Sequence, residues 1–283
     1  DLFWAIRGGG GNFGIVTEFE FDLHAAGPTV LTGLVVHPFK DFFSVVKEYQ
    51  RALDAAPDEL TCWVVSRKAP PLPFLSEQWH GKEVAILAMC YVGPIEEGEA
   101  ATAAFRRIGK PIVEAVGPAP FVDWQTAFDP LLTPGARNYW KSHDVAAFTD
   151  ASLALVASAI GNLPTDECEI FFGHVGGPAT RVAPDATPWP NRKAHFVVNV
   201  HTRWRDPSDD ERCRDWARRL HRELQPHAMG RVYVNFMPEG DEHRVAEAYG
   251  PNYDRLARIK KQVDPTNLFR GNQNIKAGAS RSV

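Results

Sequence analysis

Apolar and polar residues alternate along much of the chain in the pattern of β-strands joined by α-helices. A period of two, or a short continuous apolar run, is typical of a strand, because successive side chains of a strand point to opposite faces. Such patterns predict strands at residues 1–7 and 15–23, the second of them half-buried. They predict further strands at residues 30–37, 60–67, 84–92, 168–175, 195–204 and 232–236.

Helices are predicted where apolar residues recur every three or four positions and so form one buried stripe. The predicted helices span residues 40–55, 96–108, 150–161, 207–224 and 242–263. Ser208 and Glu211 have the spacing of a capping box at the start of the fourth of these helices. Gly161 is expected to end the third helix, and Asp264-Pro265 to end the last. The proline-rich residues 176–192 are predicted to form a loop, and residues 277–283 a disordered tail.

The composition is that of an ordinary globular protein and argues against several classes of function. The chain has 283 residues and a net charge of −4 at pH 7, so a broad basic surface for nucleic acid is not expected. No apolar run approaches the ~20 residues that span a bilayer, and no membrane association is predicted. The four cysteines form no CxxC motif and are expected to be free and buried. The first residue is Asp1 rather than Met, which indicates a piece of a longer or processed protein.

A run of glycines within residues 8–14 is the most distinctive local motif. Gly9, Gly11 and Gly14 satisfy G-x-G-x-x-G, which in dinucleotide-binding folds opens a helix. The alternating pattern predicts a strand after Gly14 instead, and no Gly-Lys-Ser/Thr follows, so neither nucleotide motif fits its context. Glycine tolerates positive φ, and exposed backbone N–H groups could cradle a phosphate or the carbonyl oxygens of a flavin. A plain tight turn between strands is the alternative interpretation.

Several stretches, in the same order, resemble the motifs of one protein family. DLFWAIRGGGGNFGIVT at residues 1–17 resembles the segment that closes the family's FAD-binding domain, and YWKS at residues 139–142 a motif in the middle of its substrate domain. The carboxy-terminal resemblance lies in YVNF at 233–236, YGPNYDRL at 249–256, DPTNLF at 264–269 and QNI at 273–275. The family is that of the berberine-bridge-enzyme-like FAD-linked oxidoreductases.

This resemblance implies an α+β fold with two kinds of unit. An antiparallel sheet covered by helices would form a substrate-binding domain at residues 25–226. Residues 1–24 would end the FAD-binding domain, and residues 227–276 would return to it. The family's amino-terminal portion carries most adenine and pyrophosphate contacts and usually a His, often with a Cys, that binds FAD covalently. No such segment precedes Asp1 in this sequence, so the chain is expected to be an incomplete enzyme, with a split or non-catalytic module that binds no flavin alone as the alternative.

The resemblance also implies roles for individual residues. Family members pass a hydride from an alcohol, sugar or amine to flavin N5, so the protein must remove a proton. Tyr233 is the candidate base, and Asn235, predicted on the same strand face, could hydrogen-bond to flavin or substrate. A core aromatic and a strand-end cap are the alternatives for these two residues. The expected partners are a small alcohol, sugar or natural product and molecular oxygen or another electron acceptor. The candidate cofactor-binding residues are Gly9, Gly10, Gly11, Asn12, Phe13, Gly14, Val16, Tyr233, Asn235, Asn272 and Gln273.

Polar residues on one face of a predicted strand indicate a surface for the substrate. The strand at residues 195–204 is apolar on one face and carries Asn199 and His201 on the other, which suits a sheet covered by helices on one side only. Solvent exposure is the alternative interpretation. His174, at the end of its own strand, and Tyr139 and Lys141, in the mid-domain motif, are further candidates, with a surface salt bridge as the alternative for Lys141. The histidines lack metal-ligand spacing, and no metal site is predicted.

Overall fold

In the residues that the computed structural model describes, 1–271 and 273–278, seven strands form one antiparallel sheet. The strands are β1 Thr29–Pro38, β2 Leu60–Lys68, β3 Glu83–Tyr91, β4 Val113–Pro120, β5 Arg137–Val145, β6 Glu169–His174 and β7 Phe196–Trp204. They lie in the order β4-β1-β3-β2-β6-β7-β5, so β4 and β5 form the two edges. The strands predicted between residues 30 and 204 are therefore confirmed.

The α-helices of the same described residues lie between the strands and at both ends of the chain. They are α1 Leu2–Gly9, α2 Phe42–Leu53, α3 Ile95–Arg106, α4 Phe121–Thr126, α5 Asp150–Ile160, α6 Pro178–Arg181, α7 Asp210–Leu224, α8 Val245–Tyr249 and α9 Tyr253–Val263. The predictions at residues 40–55, 96–108, 150–161 and 207–224 correspond to α2, α3, α5 and α7. Gly161 follows the end of α5, as predicted.

One face of the sheet is covered by α2, α3, α5 and α7 and forms the main hydrophobic core. Leu87 of β3, Phe172 of β6 and Leu153 of α5 are fully buried there. Complete burial of such a side chain contributes about 1.5–3 kcal/mol. The buried stripe of α7 includes Trp216 and Leu220, as the helical period predicts.

The other face of the sheet is polar and aromatic over the β2-β6-β7-β5 half. Trp140 of β5 pairs in register with His201 of β7, and their ring centroids lie 5.6 Å apart. Trp63 on this face packs against Phe171 of β6 and against Trp124 and Phe128, which follow β4.

The two ends of the chain share a second hydrophobic core. Trp4 and Phe13 from the amino-terminal segment pack with residues from 232 to 275, among them Tyr249 and Leu256. The Trp4 Nε1 donates a hydrogen bond to the backbone oxygen of Asp185 at 2.7 Å. This core therefore lies beside the loop that joins β6 to β7.

The two amino-terminal strand predictions are wrong. Residues 2–9 form α1, whose apolar side chains Trp4 and Ala5 are buried on one side rather than on alternate positions. Residues 15–23 have no regular secondary structure, and their apolar side chains, such as Phe19 and Leu23, are exposed. A strand requires a hydrogen-bonded neighbour, and no described residue pairs with this segment.

The carboxy-terminal segment departs from prediction at two points. Residues 232–236 contain a 3₁₀ turn, Val234–Phe236, in place of a strand. The helix predicted at 242–263 is divided into α8 and α9, because Gly250 has a φ of 51° and Pro251 cannot continue the hydrogen-bond ladder. The stop at Asp264 is confirmed. Residues 277–278 form a turn, and the rest of the predicted tail lies outside the described residues.

Two strands and one cap were not foreseen. Edge strands carry weak hydrophobic patterns: β4 includes Pro118 and Pro120, which an edge position tolerates, and β5 is largely polar.

The capping box predicted at Ser208 and Glu211 is wrong. The carboxylate of Asp206 instead accepts a hydrogen bond from Ser208 N at 2.9 Å, because a 3₁₀ turn precedes α7.

Candidate functional site

A pocket of about 390 Å³ lies where residues 8–14, called the glycine loop below, meet the carboxy-terminal segment. More than two hundred residues of sequence separate its two principal walls. Its lining consists of Ile6, Arg7, Gly8, Gly10, Thr187, Trp189, Tyr233, Val234, Asn235, Ala248 and Tyr249. Its size is within the range of small-molecule sites.

The glycine loop needs glycine for its backbone shape. Gly8, Gly10 and Gly14 have φ values of 149°, 62° and 149°, which other residues rarely adopt. A methyl group at Gly9 would lie 2.5 Å from the ring of Phe13. Gly8 and Gly9 end α1, Gly10–Asn12 form a 3₁₀ turn, and the next α-helix is α2, so neither a turn between strands nor a helix-opening dinucleotide motif describes this segment.

The glycine loop also leaves its backbone open to an approaching group. At Gly10 and Gly11, a methyl group in place of the hydrogen would meet no atom within 4 Å. Backbone that is open in this way can come close to a ligand. The backbone of residues 10 and 11 is therefore more accessible to a flat ligand than the backbone of a packed turn would be.

Asn12 connects the loop to the end of the chain. It is buried, and its Nδ2 donates hydrogen bonds to Gly9 O at 2.9 Å and to Gln273 O at 3.1 Å. Its Oδ1 accepts a hydrogen bond from Ile275 N at 2.9 Å. Gln273 is thus beside the loop, as the resemblance implies, whereas Asn272 lies outside the described residues. Val16 is 44% exposed and lines no part of the pocket.

Tyr233 and Asn235 meet in the pocket despite the absence of the predicted strand. The 3₁₀ turn brings Asn235 Nδ2 to 2.9 Å from the phenol oxygen of Tyr233, to which it donates a hydrogen bond. The Tyr233 ring packs edge-on against Phe236, with centroids 5.4 Å apart. A hydrogen bond donated to a phenol oxygen also stabilises the negative charge of a phenolate.

The five candidate substrate residues lie on different faces of the sheet, and none of them lines this pocket. Tyr139 and Lys141 point to the helix-covered side, where Tyr139 packs under Arg218 and Lys141 forms a buried ion pair with Asp241. Asn199 and His201 lie on the opposite, polar face. His174 faces a separate concavity, described below.

The polar face carries a charged network around His201. Its Nδ1 lies 3.3 Å from Glu169 Oε1, and its Nε2 lies 3.2 Å from Asn138 Oδ1. Burial acts to raise the pKa of Glu169, but the hydrogen bond with His201 and the charge of Arg67 lower it. The Asn199 Oδ1 is buried without a hydrogen-bond partner among the described residues. An acceptor in this position is suited to a donor on a ligand.

Residues of the loop at 176–192 were missed as site residues. Trp189 and Thr187 line the pocket, although the sequence identified this stretch only as a loop. Asn252 holds it in place, because its Nδ2 donates to the backbone oxygens of Pro184 and Thr187 at 2.8 and 3.1 Å. The only sequence signal was an aromatic residue in a proline-rich stretch.

A larger concavity of about 790 Å³ opens at the end of β6, away from the glycine loop. His174 and His195 face it, and burial, with the nearby His195, lowers the pKa of His174. Its rim includes Arg51 and an exposed ion pair between Arg181 and Asp58.

Neither a metal-binding cluster nor a membrane-spanning helix is present among the described residues. No cluster of three or more His, Cys, Asp or Glu side chains there could hold a metal ion. No helix among them is long and apolar enough to cross a bilayer. The four cysteines are free and buried.

Comparison with known proteins identifies the fold first. The chain superimposes on the berberine-bridge-enzyme-like protein 28 of Arabidopsis thaliana with a TM-score of 0.82 at 20% identity, over 98% of this chain and 63% of that one. The fold is therefore that of the berberine-bridge-enzyme-like flavoproteins.

Sequence comparison matches the chain to FAD-linked oxidoreductases. Residues 232–276 match the family model described as "Berberine and berberine like". The chain is 26% identical to an FAD-linked oxidoreductase of Dictyostelium discoideum, over 98% of this chain and 58% of that protein. It is also 26% identical to the xylooligosaccharide oxidase of Thermothelomyces thermophilus, over 95% of this chain and 57% of that protein. These matches support a berberine-bridge-enzyme-like FAD-linked oxidoreductase, and the chain spans just under three fifths of the length of these relatives.

Proposed function

We propose that this chain supplies the substrate-binding part and one wall of the flavin site of an FAD-dependent oxidoreductase. The observation that carries the proposal is the pocket in which the open backbone of the glycine loop faces Tyr233 and Asn235. The reaction would be oxidation of an alcohol, a sugar or a natural product.

In this proposal, residues 1–24 and 227–276 belong to the FAD-binding unit and residues 25–226 to the substrate-binding unit. The shared hydrophobic core of the two chain ends supports this division. The main core, in contrast, is built from the sheet and from the helices between residues 42 and 224.

The residues of the pocket can be given separate tasks. FAD, when bound, supplies the hydride acceptor at N5. Tyr233 would accept the substrate proton in its phenolate form and become a neutral phenol, and Asn235 would hold that oxygen in place through the hydrogen bond at 2.9 Å. The backbone at Gly10 and Gly11, with Asn12 and Gln273 beside it, would hold the flavin.

The proposed substrate surface is the polar face of the sheet near Asn199 and His201. The Asn199 oxygen, which has no partner among the described residues, and the edge-to-face rings of Trp140 and His201 would suit a ring with hydroxyl groups. One relative is named for its action on xylooligosaccharides, which supports a sugar-like substrate. Molecular oxygen or another acceptor would then reoxidise the flavin. Tyr139 and Lys141 face the helices and are left out of this surface.

The first test is the absorbance spectrum of the purified chain beside that of a version extended upstream in its own reading frame. We expect flavin bands in the extended protein, and loss of substrate-dependent bleaching of those bands on Tyr233→Phe. Covalent attachment would be recognised by flavin that stays with the protein after denaturation. If neither protein takes up flavin, the proposal is wrong.

A split or non-catalytic module is the second candidate, and one observation favours it. Residues 15–23 expose Ile15, Phe19, Phe21 and Leu23 and make no backbone pairs with described residues. Such a segment can add to the edge of another sheet. Co-purification of this chain with a separately expressed upstream portion, accompanied by flavin binding, would support this candidate.

A further inference from the structure

Lys260 is a buried cation that lies against the glycine loop. It is in α9, and its side chain is fully shielded from solvent. Its Nζ donates hydrogen bonds to Asn12 O at 2.6 Å and to Asp264 Oδ2 at 2.5 Å, and a third to Phe269 O. An ammonium group has three donors, so the bonding capacity of this nitrogen is fully used.

Asp264 supplies the countercharge. Burial acts to raise its pKa, but the hydrogen bonds from Lys260 and from the amides of Leu268 and Phe269 lower it to about 2. The two amides lie 2.8 Å from the carboxylate oxygens. The Asp264 carboxylate therefore stays ionised across the physiological pH range and fixes the turn that follows α9.

The shape of the loop is costly to hold. Gly8, Gly10 and Gly14 adopt positive φ, and ordering glycines in a single conformation costs conformational entropy. The side chain of Asn12 bonds to Gly9 O, Gln273 O and Ile275 N, while the backbone oxygen of Asn12 is held by Lys260. Hydrogen bonds thus hold both the side chain and the backbone oxygen of Asn12. Among the described residues, Lys260 is the only charged group that takes part in these hydrogen bonds.

We propose that Lys260 is a positioning residue that holds the glycine loop, through Asn12, in the shape that receives the flavin. This inference rests on the proposed function. Lys260 itself does not line the pocket, so it would act only by preorganising the loop. Its loss would loosen residues 8–14 and weaken flavin binding beyond what a general loss of stability explains.

The first experiment needs no flavin. Hydrogen–deuterium exchange is measured on the 283-residue chain and on Lys260→Met, with Leu153→Ala as a control that weakens the distant main core. We expect amides of residues 8–14 to exchange on the order of tenfold faster in Lys260→Met, and to be unchanged relative to the rest of the protein in Leu153→Ala. Unchanged exchange of the loop in Lys260→Met would overturn the inference.

The second experiment separates positioning from stability. The double variant Lys260→Met/Asp264→Asn removes the unpaired carboxylate that the single variant leaves buried, so its thermal stability should recover in part. If Lys260 positions the loop, the FAD affinity of the upstream-extended protein should still fall on the order of tenfold in both variants. The size of the effect is taken by analogy from metal sites, where loss of a supporting contact lowers metal affinity by at least about tenfold. FAD affinity that recovers together with stability would make the role of Lys260 purely structural.

The two proposals fail in different ways. If the unsubstituted extended protein binds no FAD, the proposed function is wrong and the flavin part of this inference falls with it. If that protein binds FAD with the same affinity after Lys260→Met, only the inference about Lys260 is overturned.

Discussion

At the scale of single residues, the proposed chemistry depends on the phenol oxygen of Tyr233. Removal of that oxygen by Tyr233→Phe should lower turnover by about 10²–10⁴-fold, the usual contribution of a positioned acid or base. Stability should change little, since the ring is only partly buried and keeps its contact with Phe236. Turnover of the flavin-loaded extended protein is the measurement. Tyr139→Phe, on the helix-covered face, is the matched control, and an equal loss there would refute the assignment.

Gly9 and Gly11 allow the loop's packing to be tested apart from its proposed ligand. Gly9→Ala would force a methyl group against the buried ring of Phe13, at 2.5 Å, and should cost about 1–3 kcal/mol of unfolding free energy. Gly11 has a φ of −72° and open space around it, so Gly11→Ala should be neutral or stabilising by about 0.4–1 kcal/mol.

Urea unfolding of the flavin-free chain measures both glycine variants. If the open backbone at Gly11 receives the flavin, Gly11→Ala should nevertheless weaken FAD binding in the extended protein. A variant that is stable and binds FAD normally would show that the flavin does not approach Gly11.

At the scale of elements, β5 and α7 meet through two stacked histidines. The rings of His143 and His221 lie 3.9 Å apart and nearly parallel. Burial, followed by the neighbouring His143 and the charge of Arg244, lowers the pKa of His221 to about 3. Burial also lowers the pKa of His143. Both rings are therefore neutral in the folded protein at neutral pH.

Because of this packing, the free energy of unfolding should depend on pH. In the unfolded chain each ring takes up a proton near its ordinary pKa of about 6.5, whereas in the folded chain it resists protonation. The stability contributed by the neutral stack is present above about pH 6.5 and is lost as the pH falls toward the folded pKa values, by up to about 1.4 kcal/mol per pH unit for each ring.

The acid dependence can be measured as unfolding free energy between about pH 7 and about pH 5. His221→Phe keeps an aromatic ring in the stack and should flatten the slope, whereas His243→Gln, at an exposed position, should leave it unchanged. Equal slopes in the two variants would show that the stack is not the source.

The hydrophobic pattern of the sequence predicted the central strands and the helices that cover the sheet. It failed for edge strands and for segments whose structure depends on residues distant in sequence. Central strands such as β3 are apolar throughout and were recognised, but the edge strand β5 is polar and gave no signal. Residues 15–23 have the alternation of a strand and no partner among the described residues, so pattern alone misjudged them. Tyr233 and Asn235 were predicted to share a strand face, and a 3₁₀ turn joins them instead. The candidate residues Tyr233 and Asn235 were thus suggested by motifs and their chemical roles stay predictions, whereas the contribution of Trp189 to the pocket depends on tertiary contacts.

At the scale of the whole molecule, the described residues form the main core and the core of the chain ends, with a smaller hydrophobic cluster around Val36 and Ile86 on the other face of the sheet. Trp4 packs in the core of the chain ends, under the guanidinium of Arg255 at 4.0 Å, and its Nε1 bonds to Asp185 O. Trp216 packs in the main core. Because no buried hydrophobic residue among those described belongs to both cores, cooperative units of different stability are expected.

Substitution of one tryptophan in each core tests this division. Trp4→Ala should cost about 3–5 kcal/mol, a typical value for a deleted core aromatic, but the loss should appear as faster hydrogen exchange in residues 1–13 and 232–278 alone. Trp216→Ala should accelerate exchange in the sheet and α7. If Trp4→Ala instead destabilised both regions equally, the chain would unfold as one unit, and the proposed assignment of its two ends to a separate flavin-binding unit would lose its structural support.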